Sequence, residues 1–311
     1  MLRFVFEDID KNNIVMDNAI CVNITQEREV PADCVSALFD WKNCAELCTF
    51  RIFSDGELVF RGVVDEQERI VSSSGAFLKI SGRSPAALLL DNESVPVTYN
   101  HPSAGIIYER HVQPFGIVTR ENLDHTYFSE LVVTKGESNW QALSRFCKSC
   151  MFASPRISGR GELFFDGEES DKNLVFSDTD GDILYRSIEE RIRRCEEISR
   201  VNIKVSNASG YHTKVENDDA LKRGVRRERY LNAVLTDTPF NRADTMIKNG
   251  RDKGYRIKLR CDGRQLDLLG AKAAVRDSML GEIRDLYVSA LYYRLSPNDE
   301  STYLILKRRN S

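Results

Sequence analysis

The sequence predicts an α+β protein that is mainly β, with two β units and a helical insertion between them. Alternating apolar and polar residues, which are typical of strands, fill the first part of the chain. Helix-favouring segments with capping residues follow, and the strand pattern returns from Gly161 onward. We therefore predict a first β domain at 1–82, an α/β insertion at 83–165 and a second β domain at 166–311, with a long loop near 206–229.

Composition indicates an ordinary globular chain. The 311 residues carry 47 acidic and 44 basic side chains, for a net charge of −3. A dedicated nucleic-acid coat would carry a strong basic excess, so the balance argues against that class and leaves room for a local basic patch. No apolar run approaches the roughly 18 residues that a bilayer requires. The N-terminus turns acidic where a signal peptide would stay apolar, so we expect a protein made in a cytoplasm, with its eight cysteines reduced.

The first β domain is predicted from its turns. Asp55-Gly56 separates the apolar runs Arg51–Phe53 and Leu58–Val64, and such a pair is a strong hairpin signal because both residues tolerate positive φ. A second hairpin is predicted around Ser73–Gly75, followed by a strand at Ala76–Ser81.

Three helices are predicted in the insertion. Ser84 stands where an N-cap would precede Pro85 and the helix-favouring run Ala86–Leu90. Pro102 opens a second helix, which must end before Pro114.

The third helix begins at Ser138, because Gln141 three residues later completes a capping-box pattern. Its apolar residues fall on one face at helical spacing: Trp140, Leu143, Phe146, Cys147 and Cys150.

The pair Cys147 and Cys150 has the spacing of a redox motif or of half a zinc site, and Cys44 with Cys48 could supply the other half. The competing interpretation is core packing, since free cysteine behaves as a small buried hydrophobe. We favour packing because the pair lies late in its helix and on the apolar face.

The second β domain alternates strands with one long helix. Its predicted strands are Leu174–Phe176, Val201–Val205 and Tyr255–Cys261, the helix is Asn241–Lys253, and a terminal hairpin joins Leu286–Leu295 to Thr302–Arg308. The predicted strand Glu162–Phe165 precedes this domain, at the end of the insertion.

Two groups of basic residues are the candidate contact site. The predicted loop contains the run KRGVRRER, and one face of the strand Tyr255–Cys261 is basic. Solvated surface is the ordinary explanation of such groups; contact with an acidic partner or a passing polyanion is the functional one. The candidate residues are Lys222, Arg223, Arg226, Arg227, Arg229, Arg256, Lys258 and Arg260.

Signatures of enzymes and metal sites are missing from the sequence. There is no phosphate-binding loop, dinucleotide fingerprint, zinc-protease motif or nucleophile elbow. The four histidines follow no ligand spacing, and the acidic turn at 178–182 lacks the distal glutamate of a calcium loop. We therefore predict no enzyme activity, no cofactor and no metal.

Several segments resemble, in order, the baseplate hub proteins of contractile phage tails, the late-control D and Mu-like tail hub family. The segments that carry the resemblance are ELVFRGVVDE (Glu57–Glu66), LKISGRSPAALLLDNE (Leu78–Glu93), HVQPFGIVT (His111–Thr119), KGESNWQALSRFCKSCMF (Lys135–Phe152) with the following GRGELFF, and the closing hairpin segment Asp277–Arg309. The resemblance spans most of the chain. The sequence departs from the family's pattern at Gly210–Arg229 and in its cysteines.

The resemblance implies a structural protein with two tail-tube-like β-barrel domains. Three such subunits would form a pseudo-sixfold ring that joins the sixfold tail tube to the threefold spike of a virion or tail-like particle. It implies as partners the chain itself, the tube protein, the spike, other baseplate proteins and, transiently, DNA or a tape-measure protein in the lumen. Two alternatives stay open: a cell-wall hydrolase of the tail tip, since carboxylates are abundant, and a nucleic-acid-binding module acting through the basic run.

Overall fold

The computed structural model describes residues 1–127, 129–167, 170–205, 210–233 and 239–309. The described residues are 49% strand and 18% helix, so the predicted α+β, mainly β class is confirmed. It divides into two compact units: unit 1 comprises 1–173, 261–271 and 289–304, and unit 2 comprises 174–260, 272–288 and 305–311. No helix in the described ranges is long and apolar enough to span a membrane.

Seven strands open unit 1. They are β1 (Leu2–Asp8), β2 (Asn13–Met16), β3 (Ala19–Glu27), β4 (Cys34–Asp40), β5 (Leu47–Ser54), β6 (Glu57–Ser72) and β7 (Gly75–Arg83). Their order in the sheet is β3-β4-β7-β6-β5-β1-β2, and each neighbouring pair is antiparallel.

This sheet curls around one aromatic core. Strands β1 and β4 stand four places apart in the sheet order, which would separate them by roughly 19 Å in a flat sheet. Yet the ring centroids of Phe4 on β1 and Phe39 on β4 lie 5.1 Å apart, edge to face. Phe50 and Phe60 stack in the same core at 5.8 Å. The apolar face of the sheet therefore closes on itself, as it does in a barrel.

Both predicted hairpins are present. Asp55 and Gly56 adopt φ values of 54° and 91° and join β5 to β6, as the sequence predicts. The turn before Gly75, whose φ is 133°, joins β6 to β7.

The insertion is built from short elements around its own core. These are α1 (Ala86–Asp91), β8 (Val97–Asn100), α2 (Ala104–His111), a 3₁₀ turn (Gln113–Phe115), β9 (Glu130–Val133), α3 (Asn139–Phe146), a π-helical turn (Cys147–Met151), β10 (Arg156–Ile157) and β11 (Leu163–Phe164). The core side chains include Leu89, Ile107, Leu143, Phe146 and Phe165.

The capping box of α3 is confirmed, whereas the predicted cap of α1 is wrong. Ser138 Oγ accepts from the Gln141 backbone N–H, and the Gln141 side chain accepts from the Ser138 N–H. No side chain caps α1. Ser84 Oγ instead accepts a hydrogen bond from the backbone N–H of Asp33 at 3.1 Å, so its hydroxyl is engaged by a donor outside the helix.

The remaining elements continue from residue 173 to the C-terminus. They are β12 (Asn173–Ser177), β13 (Ile183–Leu184), β14 (Ser187–Ile192), β15 (Arg200–Lys204), β16 (Thr213–Glu216), α4 (Asp218–Lys222), β17 (Glu228–Asn232), α5 (Pro239–Gly254), β18 (Tyr255–Asp262), β19 (Lys272–Asp277), β20 (Gly281–Ser296) and β21 (Asp299–Arg308). The predicted helix, basic strand and terminal hairpin are confirmed.

The predicted long loop is wrong in its described part. Strand β16, helix α4 and the first residues of β17 occupy 213–229, while residues 206–209 lie outside the described ranges. Both strands pair with β15. These pairings give the backbone N–H and C=O groups of β16 and β17 hydrogen-bond partners, which the polar sequence of this segment does not indicate.

Candidate functional site

A small α/β layer within unit 2 carries most of the predicted basic run. Strands β16, β15 and β17 form a three-stranded sheet in that order. Helix α5 packs on one face through Ala243 and Ile247, which contact Val201 and Ile203 in a separate apolar core. Gly250 lets the helix approach closely, since a Cβ there would meet the Glu196 carbonyl oxygen at 3.0 Å.

The other face of this sheet is polar and held by ion pairs. Arg200 on β15 donates to Glu216 on β16 at 2.8 Å and to Glu228 on β17 at 2.9 Å. Asn202 donates to Glu228 at 2.8 Å, and the Lys214 ammonium lies 3.2 Å from Glu216. The hydrogen bond from Arg200, then that from Lys214, lowers the pKa of Glu216. Both carboxylates are thus engaged by neighbouring side chains, which suits a fixed surface better than acid–base chemistry.

Two tyrosine rings stand exposed at this polar face. Tyr230 on β17 lies opposite Asn202 on β15 in the strand register. Its ring centroid is 5.1 Å from that of Tyr211, at an interplanar angle of 81°. Tyr230 is 64% exposed and Tyr211 is 42% exposed. No sequence pattern indicates this pair, because the two residues lie on different segments and only the pairing of β17 with β15 brings them together.

The basic run beside this sheet is divided between anchoring and open residues. Arg223 is an anchor: its two terminal nitrogens donate to Glu197 at 2.8 and 2.6 Å, and this pairing raises the pKa of Arg223. Ser199 Oγ accepts from the Arg227 N–H at 3.0 Å and donates to the Arg227 carbonyl at 2.9 Å. These bonds fix the run at the start of β15.

The other cations of the run have no ion-pair partner among the described residues, and we call them the open cations. Lys222 ends helix α4, Arg226 and Arg227 occupy the turn before β17, and Arg229 lies on β17. Within the described ranges these four side chains form no ion pair, and Arg229 donates only to the Glu228 carbonyl, at 3.0 Å.

The second predicted basic group lies on a different sheet. Arg256, Lys258 and Arg260 share the partly exposed face of β18, whose neighbours are β14 and β21. Arg256 lies 3.5 Å from Glu189, and Lys258 and Arg260 also have interaction partners. The structure therefore does not bring the two predicted groups onto one sheet. Among the described residues, the first group leaves Lys222, Arg226, Arg227 and Arg229 without an ion pair, whereas each cation of the second group has an interaction partner.

A buried histidine cluster in unit 1 has the composition of a catalytic site without its geometry. Nδ1 of His111 lies within hydrogen-bond distance of two atoms, Ser94 Oγ at 3.1 Å and Asn139 Oδ1 at 2.9 Å. Nε2 of His111 lies 3.0 Å from the Tyr99 hydroxyl. In a nucleophilic triad the nucleophile and the orienting group occupy opposite ring nitrogens. All four side chains are buried, and burial lowers the pKa of His111. The cluster is a packed polar core.

The predicted packing role of the CxxC pair agrees with its surroundings. Cys147 is fully buried in the insertion core, and Cys150 packs against that core from a partly exposed position. Burial raises the pKa of both thiols, which opposes the thiolate that a metal or redox site needs. The described residues contain no group of three metal-ligating side chains.

No family model matches this sequence, and no curated protein sequence matches it. Its fold, however, is similar to that of solved tail proteins. A tail protein from Neisseria meningitidis MC58 superposes with a TM-score of 0.76 at 17% identity, covering 99% of this chain and 96% of that one. The 43 kDa tail protein of prophage MuSo2 from Shewanella oneidensis gives 0.78 at 15% identity, covering 98% of each chain.

The likeness extends to secretion machinery. A component of the E. coli type VI secretion system, itself structurally similar to the T4 bacteriophage tail proteins gp27 and gp5, gives a TM-score of 0.55 at 9% identity, covering 94% of this chain and 74% of that one. The chain therefore shares its fold with proteins of phage tails and of a type VI secretion system.

Proposed function

We propose that this chain is a structural component of a contractile phage tail or tail-like particle, and specifically its baseplate hub. The observation that carries the proposal is the shared fold, which extends over nearly the whole length of both this chain and two tail proteins. The curled sheet around Phe4 and Phe39 supports it, because a tube-like subunit needs such a barrel.

In this proposal the segments 1–82 and 166–311 supply two tube-like β domains, and 83–165 is the insertion between them. Three copies form a ring with pseudo-sixfold symmetry, which adapts a sixfold tube to a threefold spike. The tube protein, the spike and other baseplate proteins are the partners. Function then resides in interfaces, which is consistent with the non-catalytic geometry at His111 and Cys147.

A rigid apolar turn in unit 2 is suited to such an interface. Met279 is 93% exposed and Leu280 is 45% exposed, in the turn between β19 and β20. Asp277 Oδ1 accepts from both of their backbone N–H groups, at 2.9 and 2.7 Å, and Ser278 N–H donates to Asp178 at 3.1 Å. An apolar pair held this firmly in water loses little entropy on binding, so we propose it as an assembly contact.

The experiment that tests the hub is a measurement of assembly state by native mass spectrometry and electron microscopy, alone and with the spike and tube proteins. We expect a three-subunit ring with a central channel. Met279→Asp should weaken the ring, while Met279→Leu, which keeps the apolar contact, should not. A stable monomer at high concentration, with partners present, would contradict the proposal; robust hydrolysis of purified cell wall would favour the enzyme alternative.

The open cations at 222–229 are a second candidate contact. These side chains form no ion pair with a carboxylate among the described residues, so we propose that they contact an acidic partner or a polyanion in the assembly.

A further inference from the structure

We propose that the polar face of the β16-β15-β17 sheet binds single-stranded nucleic acid. Bases would stack on Tyr211 and Tyr230, and phosphates would be held by Lys204, Arg226 and Arg227. The proposal does not depend on the hub function, because it rests only on side chains of this one layer.

The exposed tyrosine pair is the first step. Large aromatic residues of folded proteins are usually well buried, whereas Tyr230 is 64% exposed on a strand. The strand is fixed by its parallel pairing with β15, so the ring stands on a rigid support. Exposed aromatic rings on an open sheet are the surfaces on which unpaired bases stack, without preference for sequence.

Charge on the polar face and in the turn beside it is the second step. Glu216 and Glu228 are the carboxylates of the ion-pair network, and Arg200, Lys214 and Asn202 engage them. Lys204 on β15 and the arginines of the turn before β17 have no carboxylate partner within the described ranges. The surface therefore offers cations to phosphates and no uncompensated carboxylate to repel them.

The net charge of unit 2 also favours the binding of a polyanion. Its residues include 25 Lys and Arg against 17 Asp and Glu, a net charge of +8. Such a field raises the rate at which polyanions arrive.

The geometry favours a single strand over a duplex. Bases inside a double helix are already stacked on each other, and their faces cannot reach a tyrosine ring. The two rings meet at 81° and do not stack on each other, and Tyr230 is 64% exposed, so its ring is accessible to an unpaired base.

The test is fluorescence anisotropy of a labelled twelve-nucleotide oligo-dT with the full chain, at several salt concentrations. Tyr230→Ala should weaken binding by about tenfold, the usual effect of removing one stacked base. The paired change Arg226→Gln with Arg227→Gln should weaken binding and lower the salt slope by about 0.7 for each lost phosphate contact.

Two matched controls lie on the opposite side of the layer. Phe240→Ala removes a half-exposed aromatic ring from α5, and Lys248→Gln with Lys253→Gln removes two exposed charges from the same helix. Because α5 packs on the other face of the sheet, we expect each control to change affinity by less than about twofold. Circular dichroism confirms that all variants fold.

Three outcomes would overturn the proposal. One is the absence of oligo-dT binding at low salt. Another is equal affinity for duplex DNA with no loss in Tyr230→Ala, which would indicate a general electrostatic contact. The third is displacement of oligo-dT by an acidic peptide or an oligosaccharide at lower concentration than by unlabelled oligo-dT, which would assign the face to a different partner.

Discussion

At the scale of single residues, one buried ion pair joins the insertion to the first sheet of unit 1. Arg156 on β10 donates to Asp33 at 2.5 Å, and their side chains are 1% and 0% exposed. Arg156 also donates to the Val30 carbonyl at 3.1 Å, and Gln26 donates to the second oxygen of Asp33 at 3.0 Å. Each carboxylate oxygen of Asp33 thus accepts a hydrogen bond from a protein donor.

Arg156→Met should destabilise unit 1 by about 3–5 kcal/mol, because it leaves the Asp33 carboxylate buried without its cation. Arg160→Met is the control: its partner is Asp267, and both side chains are 44% exposed. An exposed pair contributes about 0–1 kcal/mol. Urea unfolding of both variants checks the difference, and equal losses in the two would contradict the role of burial.

His111 makes stability depend on pH. Burial, followed by the nearby charge of Arg110, lowers its pKa in the folded chain. The unfolded side chain titrates near pH 6.5. Below that pH the unfolded chain binds a proton at this residue, whereas the folded chain stays unprotonated until its lower pKa is reached. Between these two pKa values the free energy of unfolding therefore decreases as pH falls.

We expect a loss of up to about 1.4 kcal/mol per pH unit below pH 6.5 from this group. Urea midpoints at pH 7.5 and 5.5 measure it. His111→Gln, which keeps hydrogen-bonding capacity and has no titration, should reduce the dependence, whereas His125→Gln at an exposed position should leave it unchanged. Identical pH dependence in all three proteins would show that His111 does not control it.

At the scale of elements, two glycines set the shape of the curled sheet. A Cβ on Gly62 would meet the Arg83 carbonyl oxygen at 2.2 Å and the Phe50 ring at 2.7 Å. A Cβ on Gly82 would meet the Val63 carbonyl oxygen at 2.3 Å and the same ring at 2.6 Å. Strands β6 and β7 therefore approach closely beneath Phe50, because no side chain intervenes.

Gly82→Ala should destabilise the fold by at least about 1–3 kcal/mol, since the added methyl group meets backbone that cannot yield. Gly105→Ala offers a contrast within helix α2, where the nearest atom to a new Cβ lies at 3.6 Å. Alanine is favoured over glycine in a helix by about 1 kcal/mol, so that variant should be neutral or stabilised. Thermal unfolding compares them, and a stabilised Gly82→Ala would contradict the close approach.

Local chemistry made some elements predictable from sequence. The hairpin at Asp55-Gly56 and the capping box at Ser138 depend on residues within four positions, and both are confirmed. Ser84 failed as a cap because a donor from Asp33, fifty-one residues away, takes its hydroxyl. Strands β16 and β17 were missed because their few apolar residues are buried only once β15 and α5 are in place.

Dependence on contacts between distant segments also explains which features of the candidate site the sequence did not predict. The basic run is evident in the sequence, but its residues differ in the structure. Arg223 pairs with Glu197, whereas Lys222, Arg226, Arg227 and Arg229 form no ion pair among the described residues, and this difference depends on tertiary packing. The Tyr211–Tyr230 contact depends on a strand pairing between distant segments.

At the scale of the whole molecule, the near-neutral charge conceals opposite charges in the two units. Unit 1 contains 19 Lys and Arg against 30 Asp and Glu, a net charge of −11, whereas unit 2 carries +8. Copies of this chain can therefore attract one another through unlike units.

We expect self-association to weaken as sodium chloride rises from about 50 to 500 mM, because the screening length shrinks severalfold over that range. Sedimentation velocity measures the change. Replacing Lys248 and Lys253 by Glu should weaken association at low salt and matter little at high salt. Association that strengthens with salt would indicate that apolar contacts such as Met279 dominate instead.

The pairing of β3 with the second half of β20 constrains how the protein is made. Ala290 lies opposite Glu27 in the register, and Tyr292 donates to Glu27 across 265 residues of chain. During translation one hydrogen-bonding edge of β3 therefore stays unpaired until the residues of β20 that pair with it, 290–295, have left the ribosome. A contiguous fragment ending at residue 173 would keep that edge exposed permanently and be prone to aggregate. Chaperones would be most needed during this interval of synthesis.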